Sequence, residues 1–341
     1  HRVDRRQRQM CIRDRYNNTA SGNYTFIGGG SNNIANNTKA FIGGGDKNCA
    51  SGACAAIVGG SYNTGSAAHS FVGGGTANVA SGACSAVAGG FTNCATGTYA
   101  FIGSGQSNTS AGGKSVVAGG YANSAPGDFS AILGGRNHTA SGYRATVGGG
   151  YSNTASGYSS AVLGGQTSTA SGYFSIVGGG SSNIANTSWA AVLSGKCSCS
   201  TGAYAAVVGG LLNTNSGYAS TIGGGKSNTV SGNYALIGSG RINSAGGLFS
   251  AVVGGYSNGA SACMSFTGGG TSNIANGVCS VVVGGSGNCT TSTASGSFVG
   301  GGQSNLASAP CATIGGGANN TASGAYYTTI AGGYYNVACV G

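Results

Sequence analysis

Few side chains in this sequence could do chemistry, and their spacing keeps them apart. Lys114-Ser115 follows Gly112-Gly113, and Lys226-Ser227 follows Gly225, which imitates the end of a phosphate-cradling loop. That loop needs a further Gly five residues before its last one, and those positions hold Asn108 and Ser220. His69 and His138 lie far apart in the chain, and beyond residue 15 the acidic residues are Asp46 and Asp128. Acid–base or nucleophilic catalysis needs a carboxylate or imidazole beside its nucleophile. This set offers no such pairing, so the expectation is a protein that is not an enzyme and uses no cofactor. Cys197-Ser198-Cys199 has no second pair to complete a zinc site. The other cysteines favour two spacings, one with Cys49, Cys94, Cys199 and Cys289, the other with Cys54, Cys84, Cys279 and Cys311. They read as isolated small residues rather than as a disulfide framework.

The elements that carry these residues are copies of one unit, Tyr151 to Gly165, YSNTASGYSSAVLGG. With positions numbered 1 to 15 from Tyr151, position 15 is Gly in every unit from Gly30 to Gly285. Position 12 is Val or Ile, as in Ile42, Ile57, Val72, Val147, Val162 and Val177, with Thr267 as the exception. Position 3 is Asn, as in Asn33, Asn48, Asn63, Asn78 and Asn153, broken at His138, Ser168 and Ser198. Both phosphate-loop look-alikes fall inside this repeat, so composition explains them. The register slips late: Gly285 to Gly302 spans 17 residues and Gly317 to Gly333 spans 16.

Fifteen residues bury no core alone, so each unit must stack on its neighbours. Two five-residue stretches of period-two alternation, Asn153 to Gly157 and Ser160 to Gly164, read as strands with one buried face. Glycine at positions 7 and 14–15 marks the turns. The fold class is therefore all-β, a single parallel β-solenoid (β-roll or β-helix) of about 21 coils with 15 residues per coil. Ala155, Val162 and Gly164 are expected to point inward, with Asn153 at one edge. The Asn column is expected to form a ladder of side-chain amides, with a left-handed turn role as the second possibility. Disorder competes as a reading of so glycine-rich a chain, but a disordered linker has no reason to place Val or Ile every fifteenth residue.

Residues 1–15, HRVDRRQRQMCIRDR, stand outside the array. Met10-Cys11-Ile12-Arg13-Asp14 resembles the translation of a transposon-end sequencing adapter, so this basic segment is expected to be artefactual, disordered and without function. It holds six of the 14 Lys+Arg and two of the four Asp+Glu, which leaves +6 of the +10 net charge on residues 16–341. That charge is scattered, and a nucleic-acid partner would want a basic stripe with interleaved aromatics. No apolar run is long enough to span a membrane. The array begins at Tyr16 and stops mid-unit at Val340-Gly341 without an atypical capping unit, which reads as a piece of a longer array open at both ends.

The stretch NTASGYSSAVLGG, with Ala-x-Gly, two free residues and then Ser-x-Val-x-Gly, resembles the head repeats of trimeric autotransporter adhesins, the YadA-like head. The resemblance covers Tyr16 to Gly341. The 15-residue unit with its doubled Gly164-Gly165 is a residue longer than that family's usual repeat. The resemblance implies a left-handed parallel β-roll, chains associated side by side as a homotrimer or a filament, an extracellular or cell-surface location, and adhesion to a glycan or other cell-surface ligand. It supplies no catalytic residues. Tyr143, Tyr158 and Tyr173 recur at position 8 beside glycine turns, and two readings stay open for them: rings that stack on sugars or a partner, and rings that pack across neighbouring turns and stiffen the rod.

A reading from another class rests on Thr139-x-Ser141, Thr154-x-Ser156 and Thr169-x-Ser171, which put hydroxyls on one outward face of successive coils. Ice-binding β-solenoids use arrays of this kind. Here the column is interrupted by Ile34, Cys49, Val79, Cys94 and Ile184. A structural or adhesive role is the first expectation and ice binding the alternative.

Overall fold

The computed structural model of the chain describes residues 15–324 and 326–339. The expectation of a disordered basic segment falls on residues outside that range, except for Arg15, whose strand Arg15–Tyr16 pairs with Gly30–Ser31. The chain is all-β, a parallel β-solenoid of about 21 turns with ~15 residues per coil. It divides into two compact units, one ending at Thr167 and one beginning at Ser168.

Each coil contributes three stretches to parallel ladders. Positions 4–5 and 11–12 form two-residue strands, as in Thr154–Ala155 and Ala161–Val162. Position 1 makes a single bridge, as in Tyr121 to Arg136 to Tyr151. The strands are shorter than the expected five residues because the alternation breaks at corners. In the unit ending at Thr167 the pairing joins residues 15 apart, Thr139 with Thr154 and Val147 with Val162. In the unit beginning at Ser168 it joins Val177 with Val192 and Thr169 with Ile184. The late slips leave both ladders intact there, since Val282 pairs with Val299 and Ile314 with Ile330. The longer coil absorbs its extra residues in the turn between the two strands: Thr290 to Phe298 is eight steps, where Ala155 to Ala161 is six.

The corners are made by left-handed residues at positions 2, 9 and 15. Ser152 has φ 52°, Ser159 51° and Gly165 93°. At positions 2 and 9 this reverses the peptide. Strand N–H groups donate to the following coil, as Thr139 does to the Asn153 carbonyl at 3.0 Å. Corner N–H groups donate to the preceding one, as Ser159 does to the Tyr143 carbonyl at 2.7 Å and Ser152 to the Arg136 carbonyl at 2.9 Å. Those bonds hold bulky residues such as Trp189 (φ 59°) and Ile242 (φ 59°) in a conformation that costs about 1–2 kcal/mol each. Position 15 is different, because a Cβ on Gly60 would lie 2.1 Å from the Gly75 carbonyl oxygen of the next coil. Only glycine fits. Gly164 at position 14 has open space around it and is half-buried, so its inward placement is not what the structure shows.

The inward positions are 3, 5, 7, 10 and 12. Ile42, Ile57, Val72, Val147, Val162 and Val177 are fully buried, as is Ala155. The inward residue after the turn is Ser160 at position 10, in place of Gly164, because the chain turns outward after position 12. Some polar residues that replace alanine or valine inside find partners, whereas the buried hydroxyls of Ser70, Ser85, Ser130, Ser160 and Ser250 have none among the described residues. Ser110 and Ser115 hydroxyls lie 2.6 Å apart, Thr290 and Ser280 hydroxyls 2.8 Å, and the Thr267 hydroxyl donates to the Gly259 carbonyl at 2.7 Å.

Candidate binding surfaces

The Asn column is a ladder of side chain to backbone. Asn63, fully buried, takes the backbone N–H of Asn78 on its Oδ1 at 2.9 Å. Its Nδ2 donates to the carbonyls of Gly59 at 3.0 Å and Gly75 at 2.9 Å. Asn33, Asn48 and Asn78 repeat the pattern, and Asn153 donates likewise to Gly149 and Gly165, each at 2.9 Å. The expected amide-to-amide contact is added in some coils, as from Asn108 Nδ2 to Asn93 Oδ1 at 3.1 Å. The column has no left-handed residue. The turn belongs to position 2 before it, and Asn ties that corner to the glycine corners on both sides. These residues position the surface and are closed to solvent.

His138 stands in this column and keeps two of the three bonds. Its Nδ1 accepts the Asn153 N–H at 3.0 Å, and its Nε2 lies 3.0 Å from the Gly150 carbonyl, so the proton sits on Nε2. Burial, first, pushes its pKa below the ordinary imidazole value, against the backbone hydrogen bonds. Burial also pushes up the thiols of Cys94, Cys199 and Cys289, which favours the inert thiol form. The cysteines described are free. Among the described residues no three His, Cys, Asp or Glu side chains come together to hold a metal. No helix among them is long and apolar enough to cross a membrane.

The position-8 tyrosines lie along the corner they share with position 9. Tyr143 and Tyr158 stack at 5.1 Å between ring centroids with planes 20° apart, and Phe129 meets Tyr143 edge-on at 5.4 Å. In the other unit Tyr173 abuts Phe174 at 4.6 Å, Phe174 stacks on Trp189 at 4.4 Å, and Trp189 on Tyr204 at 6.2 Å. Tyr218 continues the row edge-on between Tyr204 and Tyr234, both at 5.5 Å. A sugar stacks on a free ring face. Where rings lie face to face along the coils, those faces are occupied and the edges and hydroxyls remain outside. The row at position 1 is used similarly, with the Arg136 guanidinium 5.1 Å from the Tyr121 ring centre and 5.9 Å from that of Tyr151.

Charge is confined to these corners. Every charged residue beyond residue 15 falls at position 1, 2, 8 or 9. At one corner the Ser31 hydroxyl donates to Asp46 at 2.7 Å and, as the largest cause, lowers its carboxyl pKa. Beside it Lys47 donates to the Tyr62 hydroxyl at 2.7 Å, and that bond is the first cause raising its ammonium pKa.

Two uncharged faces remain. One carries positions 4 and 6. Thr139 and Thr154 are half-buried neighbours there, in register with Ser124 and Thr109, and Ser141 and Ser156 are exposed beside them. Thr169 lies on the same face of the other unit, where its described neighbour is Ile184. The other face carries positions 11 and 13 and is largely apolar, broken by Thr146 in one unit and by Thr221, Thr313 and Thr329 in the other, with Leu133 62% and Leu163 55% exposed. Sequence reasoning passed over this second face, although the absence of any charge at positions 11 and 13 is legible in the repeat. No family model matches the chain, and no curated protein matches it.

Proposed function

We propose that this chain is a non-enzymatic repeat protein of the cell surface or extracellular space that acts by assembling with copies of itself and presenting a Ser/Thr/Tyr-rich surface for attachment. The observation that carries the reading is the segregation of its surface. Charges and aromatic rows line the corners, and two uncharged faces run between them through successive coils. A monomer rarely leaves so continuous an apolar strip in water. The resemblance to YadA-like head repeats supports adhesion, with a homotrimer or filament as the assembly and a glycan or cell-surface group as the ligand. With ring faces occupied along much of the aromatic row, the hydroxyls of positions 4 and 6 are the better candidates for contacting such a ligand.

The test is attachment. Beads carrying the full chain are expected to retain cells or arrayed glycans above uncoated beads, and Ser141→Lys with Ser156→Lys should reduce that retention several-fold. Retention equal to that of uncoated beads would contradict the reading. The in-register run Thr109, Ser124, Thr139, Thr154 favours one second reading, an ice-binding face. It predicts thermal hysteresis from a monomer.

A further inference from the structure

Positions 11 and 13 trade bulk within single coils. Phe71 is followed by Gly73 and Phe101 by Gly103, whereas Ala131 is followed by Leu133 and Ala161 by Leu163. In the other unit Phe266 precedes Gly268, and Ala191 precedes Leu193. Glycine at position 13 meets the next coil closely: a Cβ built on Gly73 would lie 2.3 Å from the Ala88 carbonyl oxygen, and one built on Gly268 would lie 2.2 Å from that of Val283, with the Phe266 ring at 3.4 Å. These coils hold one bulky apolar group on one or the other column, while Ala86/Ala88, Thr146/Gly148 and Thr221/Gly223 hold none and Val281/Val283 holds two. The coil's own core, at positions 3, 5, 7, 10 and 12, does not use these side chains.

We propose that this face, positions 11 and 13, is where a second copy of the chain docks, sheet against sheet. The proposal rests on the self-association proposed above and names the surface that performs it. Three observations favour a second copy over other occupants. The relief of the face repeats once per coil, at the ~4.8 Å step set by backbone hydrogen bonding, and another stack of these coils has the same step. In the unit beginning at Ser168 the ladder runs through eleven strands from Ile176–Val177 to Thr329–Ile330. That is about 50 Å by about 10 Å, and so roughly 1,000 Å² over both partners, the lower bound for a specific interface. Charged residues are excluded from the face and stand at its corners, the arrangement of an apolar interface core with a polar rim.

The experiment uses the full chain in sedimentation velocity from about 1 to 100 μM. Leu133→Lys with Leu163→Lys, and Leu193→Lys with Val208→Lys, place charges on exposed positions of the face in each unit. Thr139→Lys with Thr154→Lys is the control on the opposite face. The parent and the control should associate alike, and each face variant should raise the dissociation constant at least about 100-fold. Leu163→Ser with Leu193→Ser, expected to weaken association about tenfold, serves if a lysine variant loses its strand circular dichroism. Face variants that associate like the parent would overturn this assignment and leave self-association standing. A parent that stays monomeric throughout would overturn both. A monomeric parent that co-sediments with phosphatidylcholine vesicles, and loses that binding in the face variants, would give the face to a lipid surface instead.

Discussion

Replacing Asn63 by alanine removes three hydrogen bonds and strands the Asn78 N–H, while the Gly75 carbonyl keeps the bond from the Ser61 N–H at 2.9 Å. The Asn78 N–H loses its acceptor at a position with no solvent access, at a cost of about 1–3 kcal/mol. The Gly59 and Gly75 carbonyls belong to half-buried and exposed residues, so water takes the place of the amide there. Each of those two bonds then costs only its net value, about 0.5–1.5 kcal/mol. The expected loss is about 4 kcal/mol, and it should be local, since coils contact only their neighbours. Asn63→Asp separates the ladder from mere shape. It keeps an acceptor for the Asn78 N–H but turns a carboxylate oxygen toward two carbonyl oxygens. At neutral pH it should therefore cost more than alanine. Its folded pKa should rise above the ordinary carboxylate value, so its stability should fall as pH rises above about 4. Hydrogen exchange of the amides of residues 64–80 reads the effect coil by coil. An alanine variant within about 0.5 kcal/mol of the parent, or an aspartate variant no worse than alanine at pH 7, would refute the ladder as described.

Two further outcomes follow from the same column and its neighbouring corner. His138 is held neutral, with its pKa below the ordinary value of about 6.5, so its contribution is intact above that value and lost as pH falls through it toward the lower folded value. His138→Asn should flatten that dependence and, by adding a bond to the Gly134 carbonyl, gain about 0.5–1.5 kcal/mol at pH 7.5 in urea unfolding. Gly60→Ala, which combines φ +87° with a Cβ 2.1 Å from the Gly75 carbonyl oxygen, should cost more than about 3 kcal/mol by the same unfolding measurement.

The parts of this fold legible in the sequence are those where one residue type is forced in coil after coil. Val or Ile at position 12 fills a fixed slot, Asn at position 3 has three bonds to satisfy, and Gly at position 15 faces the next coil's carbonyl, so each column announces the period. Position 10 was equally legible, being Ala or Ser from Ala40 to Ser280, but strand alternation carried the inward assignment on to Gly164 and past Ser160. The alternation misled because the strand ends at position 12. The corners at positions 2 and 9 left no mark. Tyr62, Trp189, Ile242 and Cys279 all take left-handed backbone there, stabilised by bonds to the preceding coil and not by residue type. The tyrosines at position 8 were visible, but their stacking on position-9 rings depends on those hidden corners. The apolar face escaped notice because neither column alone is conspicuous, and the exchange between Phe71/Gly73 and Ala161/Leu163 shows only when the two are read together.

The measurement that bears most directly on an assembling, adhesive solenoid is sedimentation and thermal hysteresis on one sample of the full chain. Concentration-dependent multimers with no hysteresis or ice shaping are expected. A monomer across the whole range that shows hysteresis, abolished by Thr139→Lys with Thr154→Lys, would contradict the assembling, adhesive reading and transfer the function to the hydroxyl face.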